Sequence, residues 1–273
     1  MKLNNSIIEK YSVAVDILKI KFKVIPDIAV IAGSGIASTL NQDYIICRIK
    51  YEDLLVLPKT SVLGHNGEVL LYEVDGYKAI IFTGRFHYYE GRTYEEINSL
   101  IFLSHLIGIS KIVITNAAGG LNPLFKAGDL MIIEDIIDFM FPKNSNIFDY
   151  NNFSNKAVNS SLSDNLFNHS VKKSLLDNKI PYHTGNYASV SGANYETRAE
   201  IRMLRLLGAD AVGMSTVPEI KTALSLGMNI IACSLITNVA KEIIQSVSHD
   251  EVIEVAQQST NKIRDFIENV IKV

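Results

Sequence analysis

Tryptophan is absent from the 273 residues, and cysteine occurs only at Cys47 and Cys233. Each cysteine sits in an apolar run and reads as a small buried hydrophobe. No cluster of ligating side chains suggests a zinc site or a disulfide framework, so a reducing, cytoplasmic setting is the expectation. There is no basic excess either: 26 Lys and Arg stand against 29 Asp and Glu, a formal net charge of −3. That excludes a global positive field of the kind that recruits nucleic acid. No uninterrupted apolar run reaches the length of a membrane span. Residues 1–23 mix apolar positions with Glu9 and Asp16 and do not read as a signal peptide. The dinucleotide fingerprint is missing too. Gly33-Ser34-Gly35 follows a short strand, but Ser38 stands where the third glycine belongs.

What is there is an alternation of strands and helices without repeat or linker, so the expected class is α/β: one domain over residues 1–273, built on a twisted mixed sheet flanked by helices. Residues 4–22 carry apolar side chains at helical spacing, capped by Asn5 or Ser6. Residues 27–32, 44–50, 68–75 and 77–83 read as strands, the last two joined by an Asp75-Gly76 hairpin turn. A helix over 93–107 leads to a strand over 111–115. Asn116-Ala117-Ala118-Gly119-Gly120 then reads as a loop without bulk, against which a planar ligand can lie. Further strands are expected at 129–133, 187–190 and 229–236. Helices are expected at 171–178, 196–207, 217–226 and, as one long element, 249–271. Residues 144–168, rich in Asn and Ser, read as a surface excursion.

The stretch from Gly84 to Gly91 organises the functional reading. It follows a buried strand and precedes a helix, the place where open α/β sheets put ligands. Arg85 can grip a tetrahedral oxyanion through two parallel N–H bonds, with His87 as a further donor. The same pattern of an apolar strand followed by a polar residue among small ones recurs at Ser34, Asn116, Tyr195-Glu196, Ser215 and Asn238. Sorted by chemistry, Ser34, Arg85, His87 and Ser215 suit phosphate. Tyr89 and His249 suit sugar hydroxyls, and Glu196 and Asn238 suit a base edge, with Tyr195 stacking. Taken singly, each has a plainer reading: His249 as a helix cap, Glu196 as a first-turn acid, Tyr195 as a core aromatic.

Several of these stretches together resemble purine nucleoside phosphorylases of the trimeric type. They are Gly84-Arg85-Phe86-His87, Tyr89-Glu90-Gly91, residues 116–121, Tyr195-Glu196-Thr197, residues 208–219 and Ser234-Leu235-Ile236-Thr237-Asn238. The match runs from about Ile28 to the C-terminus in the family's order. The resemblance implies a homotrimer that takes a purine nucleoside and phosphate, with no metal or organic cofactor, no nucleic acid and no membrane. It assigns Ser34, His65, Arg85, His87, the backbone of Ala117, and Ser215 to phosphate. Tyr89, Met214 and His249 would hold the ribose. Ala118, Gly119, Tyr195, Glu196, Val212, Gly213, Thr237 and Asn238 would surround the base. Tyr195 stands where many members have Phe. The family also covers the sugar with a Phe of the neighbouring subunit, for which Phe153 and Phe167 are the candidates.

The reaction so implied is phosphorolysis of inosine or guanosine and their deoxy forms, in purine salvage. Asn238 and Glu196 would stabilise the departing base, and His87 would assist at the phosphate. A methylthioadenosine phosphorylase, a nucleosidase using water, and a non-catalytic purine-binding protein remain as alternatives. His249 speaks against the first, and the anion donors Ser34, Arg85 and Ser215 speak against the second.

Overall fold

The protein is described here by a computed structural model covering residues 2–60, 66–140, 162, 165–239 and 249–273, with backbone only for residues 249 and 250. Its elements run α1 (Asn5–Phe22), β1 (Ile28–Ile31), β2 (Ile45–Lys50), β3 (Glu68–Val74), β4 (Tyr77–Phe82), α2 (Tyr94–Ile97), α3 (Ser99–Ile107) and β5 (Lys111–Gly120). Then follow β6 (Leu130–Asp138), α4 (Leu166–Asp177), β7 (His183–Ser189), α5 (Arg198–Leu206), β8 (Ala211–Gly213), α6 (Val217–Ser225), β9 (Asn229–Val239), α7 (His249–Gln258) and α8 (Thr260–Ile271).

The strands among the described residues form one mixed sheet in the order β2-β3-β4-β1-β5-β8-β7-β6-β9. β9 also pairs with β5, so β5, β8, β7, β6 and β9 close into a ring while β2, β3, β4 and β1 fan out from β5 as an open sheet. The first half of β5 pairs in parallel with β1, and its last two residues pair antiparallel with β8. Such a strand is buried along nearly its whole length, which is why it reads as an apolar run rather than an alternation. One apolar layer packs α1, α3 and α6 against the sheet. A second packs α4 and α8 on the other face, and a smaller cluster lies under α5.

Several boundaries differ from expectation, each for a local reason. The first helix is capped by Asn4, whose side chain accepts from the Ser6 N–H. The helix expected over 93–107 breaks at Asn98. There the backbone N–H is shared between the carbonyls of Tyr94 and Glu95, both at 3.2 Å, while Nδ2 also takes the Tyr94 carbonyl at 2.8 Å. The C-terminal helix breaks at Ser259 (φ −94°, ψ 11°) into α7 and α8. Residues 116–120 are strand, not loop, because β8 and β9 supply partners on both sides. Cys233 is buried as expected, whereas Cys47 is only half-buried on the edge strand β2. The Asp75-Gly76 turn is as read, with φ of 50° and 87° at its two central residues.

Asp210 clamps the ring where β8 enters it. Its carboxylate accepts from Asn122 Nδ2 at 2.8 Å and from the Asn186 N–H at 2.9 Å. Its backbone carbonyl accepts from Leu121 and Asn122. Asp210→Ala therefore removes two charge-assisted bonds that join the end of β5 to β7. It is expected to lower stability by about 2 kcal/mol, measured as a fall in the urea midpoint at an unchanged m-value.

Candidate active site

β1, β4, β5 and β9 run parallel, so the residues at their C-terminal ends share one side of the sheet. Gly33 and Ser34 follow β1, and Arg85, His87 and Tyr89 follow β4. With Asn116, Ala117, Ala118 and Gly119 of β5 and Thr237 and Asn238 of β9, they line one cleft. Val212, Gly213, Met214 and Ser215 join them from β8, which runs the other way. Strand direction alone does not bring these four in. They reach the cleft because β5 overshoots β1 and offers β8 a partner. Tyr195, Glu196 and Val252 complete the lining.

Of the residues assigned from the sequence to phosphate, ribose or base, every one except His65 and His249 therefore lies on this single cleft. His65 lies outside the described residues. His249 begins α7, but its side chain is not described. Gly33 of the Gly-Ser-Gly turn and Asn116 of the recurring pattern also line the cleft, with Val252, which had been given no role. Phe167 is 6% exposed, packs in the core of its own chain and has the Lys111 ammonium 5.6 Å above its ring. It is not an aromatic that can cover a neighbour's sugar, and Phe153 lies outside the described residues. Glu196 is not a first-turn acid. Thr197 is the N-cap of α5, so Glu196 precedes the helix.

A bulge explains how two consecutive residues of β9 face one cleft. Ala118 pairs with Ile236 and Gly119 with Asn238, leaving Thr237 as the extra residue. In a regular strand Thr237 and Asn238 would point to opposite faces; the bulge re-aims them. The Thr237 hydroxyl lies 3.1 Å from Asn238 Oδ1 and holds the amide.

Arg85 sits at the floor, 1% exposed. Its Nη1 donates to Ser215 Oγ at 3.0 Å and to Thr216 Oγ1 at 2.8 Å, and Nη2 donates to the Thr115 carbonyl at 2.7 Å. Both N–H bonds of Nη1 are thus engaged with protein, and the two-pronged grip expected from the sequence is not the arrangement built here. The consequence falls on Ser215. Thr216 Oγ1 accepts from Arg85 and from Asn116 Nδ2 at 2.9 Å, which uses both its lone pairs. Its own hydrogen is left to donate to Ser215 Oγ, 3.2 Å away. Ser215 Oγ then accepts twice, and its hydrogen donates outside this pair, to the Tyr187 hydroxyl or to a ligand on the cleft wall.

His87 is oriented by Glu90, whose Oε1 lies 2.8 Å from Nδ1 and accepts the His87 backbone N–H at 2.8 Å. The ring stacks on Tyr89 with centroids 4.8 Å apart. Burial, with Glu90 nearby, pushes the Tyr89 phenol up to about 12, so it is a neutral donor at ordinary pH. Burial also raises the Glu196 carboxyl above its usual range. Tyr51 buttresses the loop from beneath, its hydroxyl donating to the Gly84 carbonyl at 2.8 Å. Glu90, Thr216 and Glu219 had no assigned role. The Thr216-Val217-Pro218-Glu219 capping pattern, inside the 208–219 stretch that carries the resemblance, was a signal in the sequence that could have found the last two.

Comparison with known proteins agrees with this geometry. A family model described as the phosphorylase superfamily matches residues 27–272. Purine nucleoside phosphorylase 1 of Bacillus subtilis (strain 168) is 40% identical over 237 residues, covering 85% of this chain and 87% of that protein. Purine nucleoside phosphorylase of Bos taurus is 34% identical over 264 residues, covering 89% of this chain and 87% of that protein. Isoform 2 of purine nucleoside phosphorylase from Schistosoma mansoni, solved in complex with cytosine and ribose-1-phosphate, superimposes with a TM-score of 0.80 at 33% identity. It covers 96% of this chain, and 95% of that chain is covered.

Gly213 is the tightest point of the wall. A Cβ there would lie 2.3 Å from Tyr187 Oη and 3.2 Å from Cζ. Gly213→Ala is expected to destabilise the fold by about 1–3 kcal/mol. Tyr187→Phe removes the closest atom, so the double variant Gly213→Ala/Tyr187→Phe should be more stable than the sum of the two single changes, read from a thermal double-mutant cycle.

Proposed function

We propose, from the premise that the chain belongs to the purine nucleoside phosphorylases of the phosphorylase superfamily, that it cleaves 6-oxopurine nucleosides with phosphate to give the free purine and a pentose 1-phosphate. The observation that carries this reading is the Ser215 hydroxyl, hydrogen-bonded to a buried guanidinium on the same cleft as an amide and a carboxylate.

Phosphate is assigned to Ser34, Arg85, His87, the Ala117 backbone and Ser215, with His65 from outside the described residues. Arg85 supplies positive charge at the floor, and the hydroxyls direct the anion, so the nucleophile is positioned before the glycosidic bond yields. Tyr89 and Met214 take the ribose, together with His249. Ala118, Gly119, Tyr195, Val212, Gly213 and Thr237 enclose the base. As the bond lengthens the sugar gains oxocarbenium character and the purine gathers negative charge. Asn238 Nδ2 donates to O6 while Oδ1 accepts from a protonated N7, bonds that strengthen as that charge grows. The reaction needs no metal or organic cofactor, since phosphate is both nucleophile and counter-charge. Assembly as a homotrimer belongs to the same proposal. Exposed apolar side chains support it, among them Leu124, 77% exposed, and Leu206, 88% exposed.

The direct test is inosine cleavage with and without phosphate. Purine release should require phosphate and yield ribose 1-phosphate; release at the same rate in its absence would make the protein a nucleosidase. Ser215→Ala should raise the phosphate KM about tenfold, by loss of one hydrogen bond to a charged group.

A methylthioadenosine phosphorylase is the second reading, favoured by the apolar pair Met214 and Val252 on the cleft. The base edge separates the two. Ionised Glu196 accepts from the N1–H of a 6-oxopurine but faces a bare lone pair in adenine, and such a mismatch can discriminate by up to about 10⁴-fold. The expected outcome is a kcat/KM for inosine that exceeds that for adenosine by orders of magnitude. Asn238→Asp should move the ratio towards adenosine, because a carboxylate repels O6 and accepts from a 6-amino group. Equal use of both nucleosides by the wild type would remove Asn238 and Glu196 from base reading.

A further inference from the structure

Glu219 lies behind the cleft and does not line it. It is 1% exposed, on the first turn of α6, with Oε2 accepting the Thr216 N–H at 2.9 Å. Oε1 stands 3.5 Å from Arg85 Nε, and neither of these two buried atoms has a hydrogen-bond partner among the described residues. Thr216 itself is strained: it is a β-branched residue at φ 78°, ψ −45°, fully buried. A residue holds such a conformation only where its surroundings over-determine it. Those surroundings are Glu219 on its N–H and Arg85 and Asn116 on its hydroxyl.

We propose that Glu219 is the positioning residue of the phosphate subsite, acting through Arg85 and Thr216 to aim the Ser215 hydroxyl at the anion. The proposal rests on the phosphorolytic reading above. Its two arms are distinct. The carboxylate is the counter-charge that lets a guanidinium lie on the floor of the cleft before phosphate arrives. The same group pins the strained Thr216 backbone, and Thr216 in turn passes a hydrogen to Ser215. Burial is the largest influence on the Glu219 carboxyl and raises it, while Arg85, His87 and the Thr216 N–H each draw it back down. A residue that only capped α6 would need the Oε2 contact and not the second oxygen facing Arg85.

Glu219→Gln separates the two roles. The amide keeps an oxygen for the Thr216 N–H, removes the charge, and turns a donor towards Arg85 Nε. The phosphate KM is expected to rise tenfold or more while the inosine KM at saturating phosphate moves less than threefold. Glu219→Asp, which retains the charge, should recover most of the phosphate KM. If Glu219→Gln does not fold, Thr216→Val carries the test. It keeps the side-chain shape but deletes the hydroxyl between Arg85 and Ser215, and the same phosphate-selective defect is expected. A phosphate KM within twofold of wild type in either folded variant, or equal increases in both KM values, would overturn the proposal and leave Glu219 as a helix cap. Wild-type cleavage that ignores phosphate would instead overturn the phosphorolytic reading itself.

Discussion

A guanidinium that is 1% exposed cannot stand alone in a protein interior, and the design of this cleft follows from how Arg85 is accommodated. Two hydroxyls and a carbonyl take its N–H groups, and a buried carboxylate faces Nε. Each partner is tied to a different element: Thr115 to β5, Ser215 and Thr216 to the turn after β8, Glu219 to α6. The charge therefore knots the floor of the cleft to both halves of the sheet. It also sets hydrogen-bond polarity several bonds away. Arg85 and Asn116 saturate the Thr216 oxygen, Thr216 turns its hydrogen to Ser215, and the Ser215 hydrogen is left for another acceptor.

The walls depend on the length of β5. Where a parallel strand would ordinarily stop and turn, β5 continues to Gly120, because β9 runs beside it and β8 meets it from the opposite direction. That overshoot closes the ring and carries Val212 to Ser215 into a cleft otherwise formed by strand ends. The bulge at Thr237 then turns two neighbouring residues to the same side. Close approach of backbones is the condition for all of this. Gly33 packs so near Asn116 that a Cβ would lie 2.7 Å from its Cα, and Gly213 meets the Tyr187 hydroxyl.

Much of the fold was legible because most elements announce themselves locally. The Asp75-Gly76 hairpin needs only two residues able to take positive φ, and the apolar strands 28–31 and 111–115 need only their own side chains. The misread elements are those decided by partners elsewhere. Residues 116–120 are small and look like a loop, yet strands distant in sequence recruit them into β5. Helix periodicity runs on through Asn98 and Ser259, where side-chain and backbone hydrogen bonding breaks it.

The site divides along the same line. From sequence alone came the chemical types and their order: a guanidinium, an imidazole and hydroxyls for an anion, an amide and a carboxylate for a base edge, small residues between them. Those follow from side-chain chemistry and from short patterns that survive without coordinates. Only the tertiary structure decided which donors are left over. That Arg85 has Nη1 committed to Ser215 and Thr216, that Glu219 stands behind it, and that Thr237 and Asn238 face the same cleft are outcomes of packing. Hydrogen-bond partners are shared out among groups up to 131 positions apart in the chain, and no local pattern records how that sharing ends.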